Sequence, residues 1–498
     1  MGIQHLWTLV KPAREQTTIR ALSLKDGFEE KYGSGPRLYC IGVDASIWLH
    51  ALQHKFAVSH AQSGENPELR TMLFRLLQYL KSPVHLIFVL DGPERPDLKR
   101  GTKVIKAGHW MVESMKLFVH AVRFDWHMAP GEAEAELACM NQTGIIDAIL
   151  TEDSDVLLFG ARVVIRNPKF KAGEEDPPIA MYRMSAIFSN PEIGLKTRGG
   201  LILYGLLCGN DYDEPGLLGC GSSIAVGLAR YGLGQAHFLR SWRDELVFYL
   251  QMDPSGYLGQ RHKKLADNVP CNFPDPTVVR ALAYPVVSVG FYGPYGAARF
   301  CRDSNIDVSH LAELCTRYFT WGLSEEGVLQ KFHSVLWPGL AIRLFLERAM
   351  SVNSEGVQFA PSAEQCWVKP KKTITTQPEA HNRGGVPCLR VKVKTALFVG
   401  WAKTGLRKAI EHGGVKANPD AKVPATLLVW IPRCIVMPRE TSAAAVSAGH
   451  EVPRTLTDYP PAKSGPSRSG GEASSEDWMI QCKGVVDLTG LSEEEDGL

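Results

Sequence analysis

Two unbroken apolar runs, each ending in an aspartate, restrict the fold of this chain more than any other feature of its sequence. Residues 38–43 precede Asp44, and residues 85–90 precede Asp91. Runs without alternating polar residues are typical of strands that are buried on both faces, as in a parallel sheet. Leucines at helical spacing lie between the two runs, and Pro83 ends that helix. This alternation predicts an α/β fold with a mostly parallel sheet.

Further elements continue the pattern. A helical stretch over residues 99–119 leads to a strand near Val122, a helix begins at Gly131, and residues 147–150 form another strand. Residues 197–350 are mainly helical in pattern. We therefore predict one core over residues 1–352.

Composition divides the rest of the 498 residues into three parts. Residues 353–386 form a polar linker, and strand-like runs in residues 387–440 predict a small β-rich second domain. Residues 441–498 carry ten acidic and four basic residues and are predicted to be a disordered acidic tail. Of the net charge of +2, the first 440 residues therefore carry +8. This basic body permits a polyanionic partner, although ordinary surface charge explains it equally well.

Cysteine spacing and hydropathy make several classes of protein unlikely. None of the eleven cysteines forms a Cys-x-x-Cys pair or neighbours a histidine at zinc spacing, so we expect free thiols in a reducing compartment. No stretch approaches the ~20 apolar residues of a membrane span. The first residues lack the charged leader and apolar segment of a signal peptide. The sequence thus predicts an intracellular soluble protein that has no membrane partner.

Acidic residues follow three of the predicted strands, and the carboxyl ends of parallel strands open into one crevice. Two glutamates begin the helix at Gly131, and a further aspartate lies in the turn at residues 208–212. The candidates are Asp44, Asp91, Glu132, Glu134, Asp153, Asp155 and Asp211. A single aspartate after a strand is usually a turn residue or a helix cap. If all seven converge, however, their charges require cations, and oxygen ligands suit Mg²⁺ or Mn²⁺.

Six local motifs occur around these residues in a fixed order. They are MGIQHLW at 1–7, VDAS at 43–46, LDGP at 90–93, PGEAEA at 130–135, TEDSD at 151–155 and GNDY at 209–212. In this order they resemble the structure-selective 5′ nuclease family that contains the flap endonucleases and the XPG repair nuclease. The resemblance covers about residues 1–350 and implies a nuclease core with a helical arch and a helix–two-turn–helix element.

The resemblance also implies roles for individual residues. The seven carboxylates would hold two Mg²⁺ or Mn²⁺ ions, which hydrolyse a phosphodiester and leave a 5′-phosphate. Lys99 and Lys106 are seven residues apart, so on a helix they share one face and would grip the scissile phosphate. The alternative is two solvated lysines. Gly2 would lie near the active site once Met1 is removed.

A glycine pair marks the expected helix–two-turn–helix element. Gly219 and Gly221 would let backbone N–H groups approach a phosphate at a helix N-terminus. Ser222 and Ser223 stand where many family members have a basic residue, which puts a charged phosphate contact in doubt. Two nearby lysines could compensate for it, and these are Lys263 and Lys264.

Spacing favours one branch of the family. Asp91 and Glu132 are 41 residues apart, which is short for a flap endonuclease and leaves no room for the large spacer of the XPG repair nuclease. The chain is most similar to the eukaryotic Holliday-junction resolvase branch. Residues 397–401 and 429–432 resemble fragments of a chromodomain-type fold, which that branch carries, and the alternative is another kind of small β-domain.

This resemblance implies a nuclear DNA endonuclease that resolves four-way junctions by two symmetric cuts and also cuts 5′ flaps. Two copies would assemble on one junction, and recognition would rely on shape rather than base readout. Two alternatives stay open, a 5′-flap endonuclease and a catalytically silent junction-binding scaffold. In the tail, an apolar run before acidic residues resembles a SUMO-interacting motif, formed by Val485, Val486 and Leu488.

Overall fold

A computed structural model describes most of the first 436 residues. The described ranges are 2–3, 5–29, 37–56, 65–104, 106, 108–166, 176–232, 242–288, 306–353, 382–383, 385–418 and 421–436. The predicted acidic tail and its SUMO-binding residues Val485, Val486 and Leu488 lie outside these ranges, as does most of the predicted linker. None of the described helices is long and apolar enough to cross a membrane.

Twelve strands are formed within the described ranges. They are β1 (Arg14–Thr18), β2 (Tyr39–Asp44), β3 (Val84–Leu90), β4 (Leu98–Lys99), β5 (Thr102–Lys103), β6 (Asp125–Met128), β7 (Ala148–Leu150), β8 (Val163–Ile165), β9 (Pro178–Arg183), β10 (Asn382–Arg383), β11 (Val386–Lys394) and β12 (Thr426–Pro432). Seven of them build the central sheet, in the order β1-β9-β8-β7-β2-β3-β6. Strands β8, β7, β2, β3 and β6 are parallel, and β9 and β1 extend the sheet antiparallel. The predicted mostly parallel α/β sheet is confirmed.

Helices cover this sheet and continue beyond it. They are α1 (Leu6–Leu9), α2 (Ile19–Ser23), α3 (Ala45–Phe56), α4 (Pro67–Tyr79), α5 (Val112–Ala121), α6 (Ala133–Gln142), α7 (Asp155–Leu158), α8 (Met184–Ser189), α9 (Arg198–Cys208), α10 (Ser222–Arg230), α11 (Trp242–Met252), α12 (Lys263–Asp267), α13 (Pro276–Ala283), α14 (Val308–Tyr318), α15 (Glu325–Val335), α16 (Trp337–Asn353), α17 (Ala396–Glu411) and α18 (Arg433–Val436). Three short helical turns, Lys11–Ala13, Leu24–Phe28 and Thr320–Leu323, complete the described elements.

The central strands are buried on both faces, as their continuous apolar runs predict. Every residue of β2 and β3 is buried. Successive side chains of a strand point to opposite faces, so Ile41 and Phe88 enter one hydrophobic cluster while Cys40 and Ile87 enter the other. One hydrophobic cluster therefore packs on each face of the sheet. Together they fix the position of the edge at which the parallel strands end.

The segment after residue 385 packs against the core. Strand β11 pairs antiparallel with β12, and helix α17 lies between them in the chain. A Cβ atom at Gly405 of α17 would collide with the carbonyl oxygen of Ser309 on α14, so the two helices cross at close range. Phe398 also contacts Trp337 of α16, with ring centroids 6.1 Å apart. The strands predicted at 388–393 and 427–432 are present, and the chromodomain likeness of this segment stays a prediction.

One local prediction is wrong. Residues 99–119 are not a continuous helix, because a two-stranded hairpin of β4 and β5 occupies residues 98–103 and α5 begins only at Val112. The hairpin turns at Arg100 and Gly101, whose φ angles are 51° and 66°. Two successive left-handed residues interrupt a right-handed helix and suit a tight hairpin turn. Lys99 and Lys106 therefore do not share a helix face.

Candidate active site

Four of the seven candidate carboxylates lie at the carboxyl ends of parallel strands. Asp44 is the last residue of β2, Asp91 follows β3, and Asp153 lies three residues after β7. Asp155 is the first residue of α7. The chain runs from β2 outward to β3 and β6 before it returns to β7 on the other side of β2, so these residues flank a topological switch point. Such points form the ligand crevice of open α/β sheets.

The remaining three carboxylates come from one helix and one loop. Glu132 is the N-cap residue of α6, and Glu134 lies in the first turn of that helix. Asp211 follows α9, and the hydroxyl of the adjacent Tyr212 donates a hydrogen bond to Oε2 of Glu132. This bond joins the loop after α9 to the beginning of α6.

Burial and mutual repulsion set the protonation of this group. Four of the carboxylates are 6% exposed or less, namely Asp44, Glu132, Asp153 and Asp155. Burial, with the charge of Asp91, raises the pKa of Asp44 to about 7. Burial raises the pKa of Glu134 well above its usual value, and Asp44 adds to this effect. Burial also raises the pKa values of Asp153 and Asp155. Like charges in a buried site favour proton uptake unless a cation neutralises them.

The donor set fits hard divalent cations. It offers only oxygen ligands, and Oδ2 of Asp44 is buried without a hydrogen-bond partner among the described residues. The described ranges contain no group of three or more His, Cys, Asp or Glu side chains already arranged to hold an ion. Without a cation, repelling carboxylates have no reason to close to coordination distance. The residues that would hold divalent ions are therefore the seven carboxylates, with Asp44 supplying an oxygen that no other described residue binds.

The two candidate lysines differ in position. Nζ of Lys99 pairs with Glu132 and lies 3.3 Å from Oδ2 of Asp211. Although burial opposes it, the charges of Glu134 and Glu132 raise the pKa of Lys99. Nζ of Lys106 instead lies 2.6 Å from Oδ1 of the exposed Asp97. Lys99 thus lies beside the carboxylates, whereas Lys106 pairs with Asp97, which is not one of them.

Gly2 lies against the carboxylates. Its φ angle is 87°, and a Cβ atom at this position would lie 2.5 Å from Oδ1 of Asp153. The next residue, Ile3, donates its backbone N–H to Oγ of Ser154 at 2.8 Å and to Oδ1 of Asp155 at 3.0 Å. The beginning of the chain is therefore part of the site, where only glycine fits without strain.

The candidate DNA-binding residues lie at the beginning of α10 and of α12. Gly221 is the N-cap residue, and no side chain among the described residues caps the helix. Gly219 has a φ of 85°, and a Cβ atom there would lie 3.6 Å from Leu265 of α12. Ser223 is exposed and Ser222 half-buried, while the exposed Lys263 and Lys264 begin α12. The loop at Gly219 thus lies beside α12, the helix that begins with the two lysines.

Several polar residues that bind the carboxylates are absent from the sequence-based candidates, and three of them illustrate why. Ser46 donates to Oδ2 of Asp91 at 2.9 Å, Tyr212 binds Glu132, and Arg100 binds Asp211. Ser46 and Tyr212 lie within the VDAS and GNDY motifs, so the sequence could have indicated that they belong to the site. Arg100 lies in the hairpin of β4 and β5, which the sequence wrongly predicted to be part of a helix.

Fold and site together define an α/β protein with an acidic centre suited to divalent cations. Residues 1–107 match the family model of the XPG N-terminal domain, and residues 123–211 match that of the XPG I-region. The chain is therefore similar to the XPG family over these two regions.

Two relatives each match just under half of the chain. Human "Flap endonuclease GEN homolog 1" is 31% identical over 257 residues, which cover 47% of this chain and 26% of that protein. "Flap endonuclease GEN-like 1" of Arabidopsis thaliana is 37% identical over 258 residues, which cover 46% of this chain and 39% of the relative. The match thus spans well under half the length of either relative.

The likeness to a solved structure extends further. The Holliday junction-resolving enzyme GEN1, crystallised with product DNA and a Mg²⁺ ion, superposes with a TM-score of 0.64 at 28% identity. The match covers 87% of this chain and 96% of that one. The fold similarity therefore reaches well beyond the two regions matched by the family models.

Proposed function

We propose that this chain is a structure-selective DNA endonuclease that resolves four-way junctions by metal-dependent hydrolysis of phosphodiesters. The observation that carries the proposal is the placement of the acidic residues and Lys99 around the switch point of the sheet, close enough that Asp44, Glu134 and Asp155 each feel the charge of other carboxylates. The match to a junction-resolving enzyme crystallised with product DNA and Mg²⁺ supports the same function. A junction-binding scaffold would have no use for buried carboxylates that repel one another.

The carboxylates are suited to hold two Mg²⁺ or Mn²⁺ ions per site. Ions of this kind, when bound, activate a water molecule and stabilise the leaving oxygen of a phosphodiester. The chain's own part is to present oxygen ligands in fixed positions. Ser46 and the N–H of Ala133 hold Asp91 at 2.9 and 3.0 Å, and Tyr212 holds Glu132. Such bonds orient each carboxylate before an ion arrives.

Lys99 supplies positive charge at the same place. Its ammonium group lies between Glu132 and Asp211, and its side chain is 29% exposed, so an incoming phosphate can reach it. A cation so placed would offset the negative charge that develops on the scissile phosphate. Lys106 has this role in the proposal only if it leaves Asp97 when DNA binds. The products would carry a 5′-phosphate and a 3′-hydroxyl.

The duplex arms would be held at the beginning of α10. Its uncapped N–H groups and the half-buried Ser222 can bind a backbone phosphate without a basic residue at that position. Lys263 and Lys264 on α12 would add charge to the same surface. Recognition through phosphates and shape, rather than through bases, suits an enzyme that selects branched DNA.

Two symmetric cuts require two copies of the chain on one junction. We further propose that the protein acts in the nucleus and that Val485, Val486 and Leu488 bind SUMO by adding a strand to its sheet. The segment around β11, α17 and β12 would contact DNA if it is a chromodomain. Because it packs on α14 and α16, it would follow the core rather than move independently.

A second candidate function is cleavage of 5′ flaps alone, which the names of the two flap-endonuclease relatives favour. End-labelled four-way junctions and 5′-flap duplexes, incubated with Mg²⁺ and the full chain, separate the two functions. Paired, symmetric nicks on the junction are expected. Cutting of the flap without the junction would assign the chain to the flap endonucleases.

A further inference from the structure

We propose that Arg100 is a positioning residue, which fixes Asp211 and the N-terminal segment relative to the hairpin that carries Lys99. This inference rests on the proposed nuclease function. None of the six sequence motifs includes Arg100, and its position in the structure shows three parts of the site meeting at one side chain.

The guanidinium group of Arg100 contacts two segments that are far apart in sequence. Its Nε atom donates to Oδ1 of Asp211 at 2.8 Å, and Nη2 lies 2.7 Å from the same oxygen. Nη2 also donates to the carbonyl oxygen of Gly2 at 3.1 Å. Gly2 in turn lies against Asp153. The side chain therefore links the β4–β5 hairpin, the beginning of the chain and the loop after α9.

The backbone of Arg100 also contacts Asp211. Its N–H donates to the carbonyl oxygen of Asp211 at 2.9 Å, while its φ of 51° places it at the left-handed tip of the hairpin. Non-glycine residues adopt such a φ at an energetic cost and keep it only where surrounding contacts stabilise it. Main chain and side chain thus hold the same loop residue, so the tip of the hairpin is fixed to Asp211.

The two oxygens of Asp211 are used differently. Arg100 occupies Oδ1, and Oδ2 faces Lys99 at 3.3 Å. A carboxylate held through one oxygen presents the other in a fixed direction, as ligand-orienting contacts do in metal sites. Arg100 would in this way direct Oδ2 of Asp211 toward the ions and keep Lys99 beside it. A lysine could not reproduce this arrangement, because a single ammonium group lacks the planar fork of arginine.

Arg100 could act through its charge alone or by positioning its neighbours, and these two roles predict opposite effects of its removal on metal binding. A guanidinium that acted only through its charge would repel a divalent cation, so its removal would tighten metal binding. A guanidinium that positions Asp211 and Gly2 favours binding, so its removal would weaken it. Loss of a residue that orients a metal ligand typically costs about 10–100-fold in affinity or activity.

The test measures Mn²⁺ binding to the chain of 498 residues without DNA, by the electron paramagnetic resonance signal of free Mn²⁺. Arg100→Ala is expected to weaken binding about tenfold or more, and Arg100→Lys to restore only part of the loss. Lys103→Ala, on the same hairpin and exposed, is the matched control and should bind Mn²⁺ as the unaltered chain does. Thermal melting of each variant in metal-free buffer shows whether the fold is intact.

A cleavage assay then distinguishes failure of this inference from failure of the proposed nuclease function. With saturating Mg²⁺, Arg100→Ala should cut more slowly in single turnover while its Kd for junction DNA stays unchanged. Tighter or equal Mn²⁺ binding by Arg100→Ala would overturn the positioning role, as would a loss of DNA affinity alone. Failure of the unaltered chain to cut DNA would remove the nuclease function, whereas the Mn²⁺ measurement would still decide the role of Arg100.

Discussion

The Cα atom of Gly2 lies so close to Asp153 that a Cβ atom added to it would be 2.5 Å from Oδ1 of that carboxylate. The same atom would also collide with Ser154. The beginning of the chain and the turn before α7 therefore form one surface. The first residues therefore shape the site through this contact, rather than through a charge or a reactive group.

Replacing Gly2 with alanine should disable the site while the fold stays intact. The Cβ atom would displace Asp153 or the N-terminal segment, and a φ of 87° disfavours any residue with a side chain. We expect the single-turnover cleavage rate to fall by about 100-fold, as for other small displacements of reacting groups. Gly108→Ala is the control, because nothing in the described part of the chain lies within 4 Å of its added Cβ atom. Equal activity of the two variants would contradict the close contact.

The two lysines should not be equivalent. Lys99 contacts Glu132 and Asp211, so Lys99→Ala is expected to lower the cleavage rate by at least about 100-fold with little change in DNA affinity. Lys106 pairs with exposed Asp97, and Lys106→Ala should have the smaller effect. Single-turnover rates and DNA titrations on both variants make the comparison. A larger loss with Lys106→Ala would show that this lysine moves into the site on binding DNA.

Stability of the metal-free protein should fall as the pH rises. Burial raises the pKa of Asp44 to about 7, above its value in the unfolded chain, so the folded state binds this proton more tightly. Its contribution is fully present below about pH 4 and is lost as the pH rises through about 7. We expect chemical denaturation to show a lower free energy of unfolding at pH 8 than at pH 6. Mg²⁺ should reverse this loss at pH 8.

Asp44→Asn is the control for that pH dependence. The amide cannot titrate, and one pKa unit is worth about 1.4 kcal/mol, so the metal-free variant should be more stable than the unaltered chain at pH 8 by at least about that amount. The variant should also lose most of the stabilisation by Mg²⁺. An unchanged pH profile would show that Asp44 is not the group responsible.

The close crossing of α17 and α14 should make the C-terminal segment sensitive to one methyl group. A Cβ atom at Gly405 would strike the carbonyl oxygen of Ser309, and overpacking of this kind costs about 1–3 kcal/mol. Gly405→Ala should therefore lower the free energy of unfolding by that amount. Gly400→Ala is on the same helix with no described atom within 4 Å, so it should be neutral or slightly stabilising. Equal stability of the two variants would show that the helices do not pack as closely as described.

Much of the central sheet was predictable because its strands are buried on both faces and therefore read as unbroken apolar runs. The positions of Asp44 and Asp91 at strand ends follow directly from those runs. The antiparallel strands β1 and β9 gave no such signal. Residues Arg14–Thr18 are mostly exposed and polar, and they form a strand only because β9 lies beside them.

The hairpin at Lys99 shows why the rest of the site was harder to predict. Its turn depends on Arg100 and Gly101 in left-handed conformations, and that conformation at Arg100 is stabilised by Asp211, which is 111 residues away. Contacts between distant segments leave no periodic pattern in a sequence. Ser46 and Tyr212 bind carboxylates of the site, but a short motif does not show which of its polar residues will contact which carboxylate.

Cleavage of an end-labelled four-way junction by the Asp153→Asn variant tests the central claim most directly. Glu152→Gln is the matched control, since Glu152 is the preceding residue but pairs with Arg166. With Mg²⁺, we predict that the unaltered chain and Glu152→Gln cut the junction symmetrically, while Asp153→Asn binds it equally well and does not cut. Cleavage by Asp153→Asn at the unaltered rate, or none by any of the three proteins, would contradict a metal-dependent nuclease centred on these carboxylates.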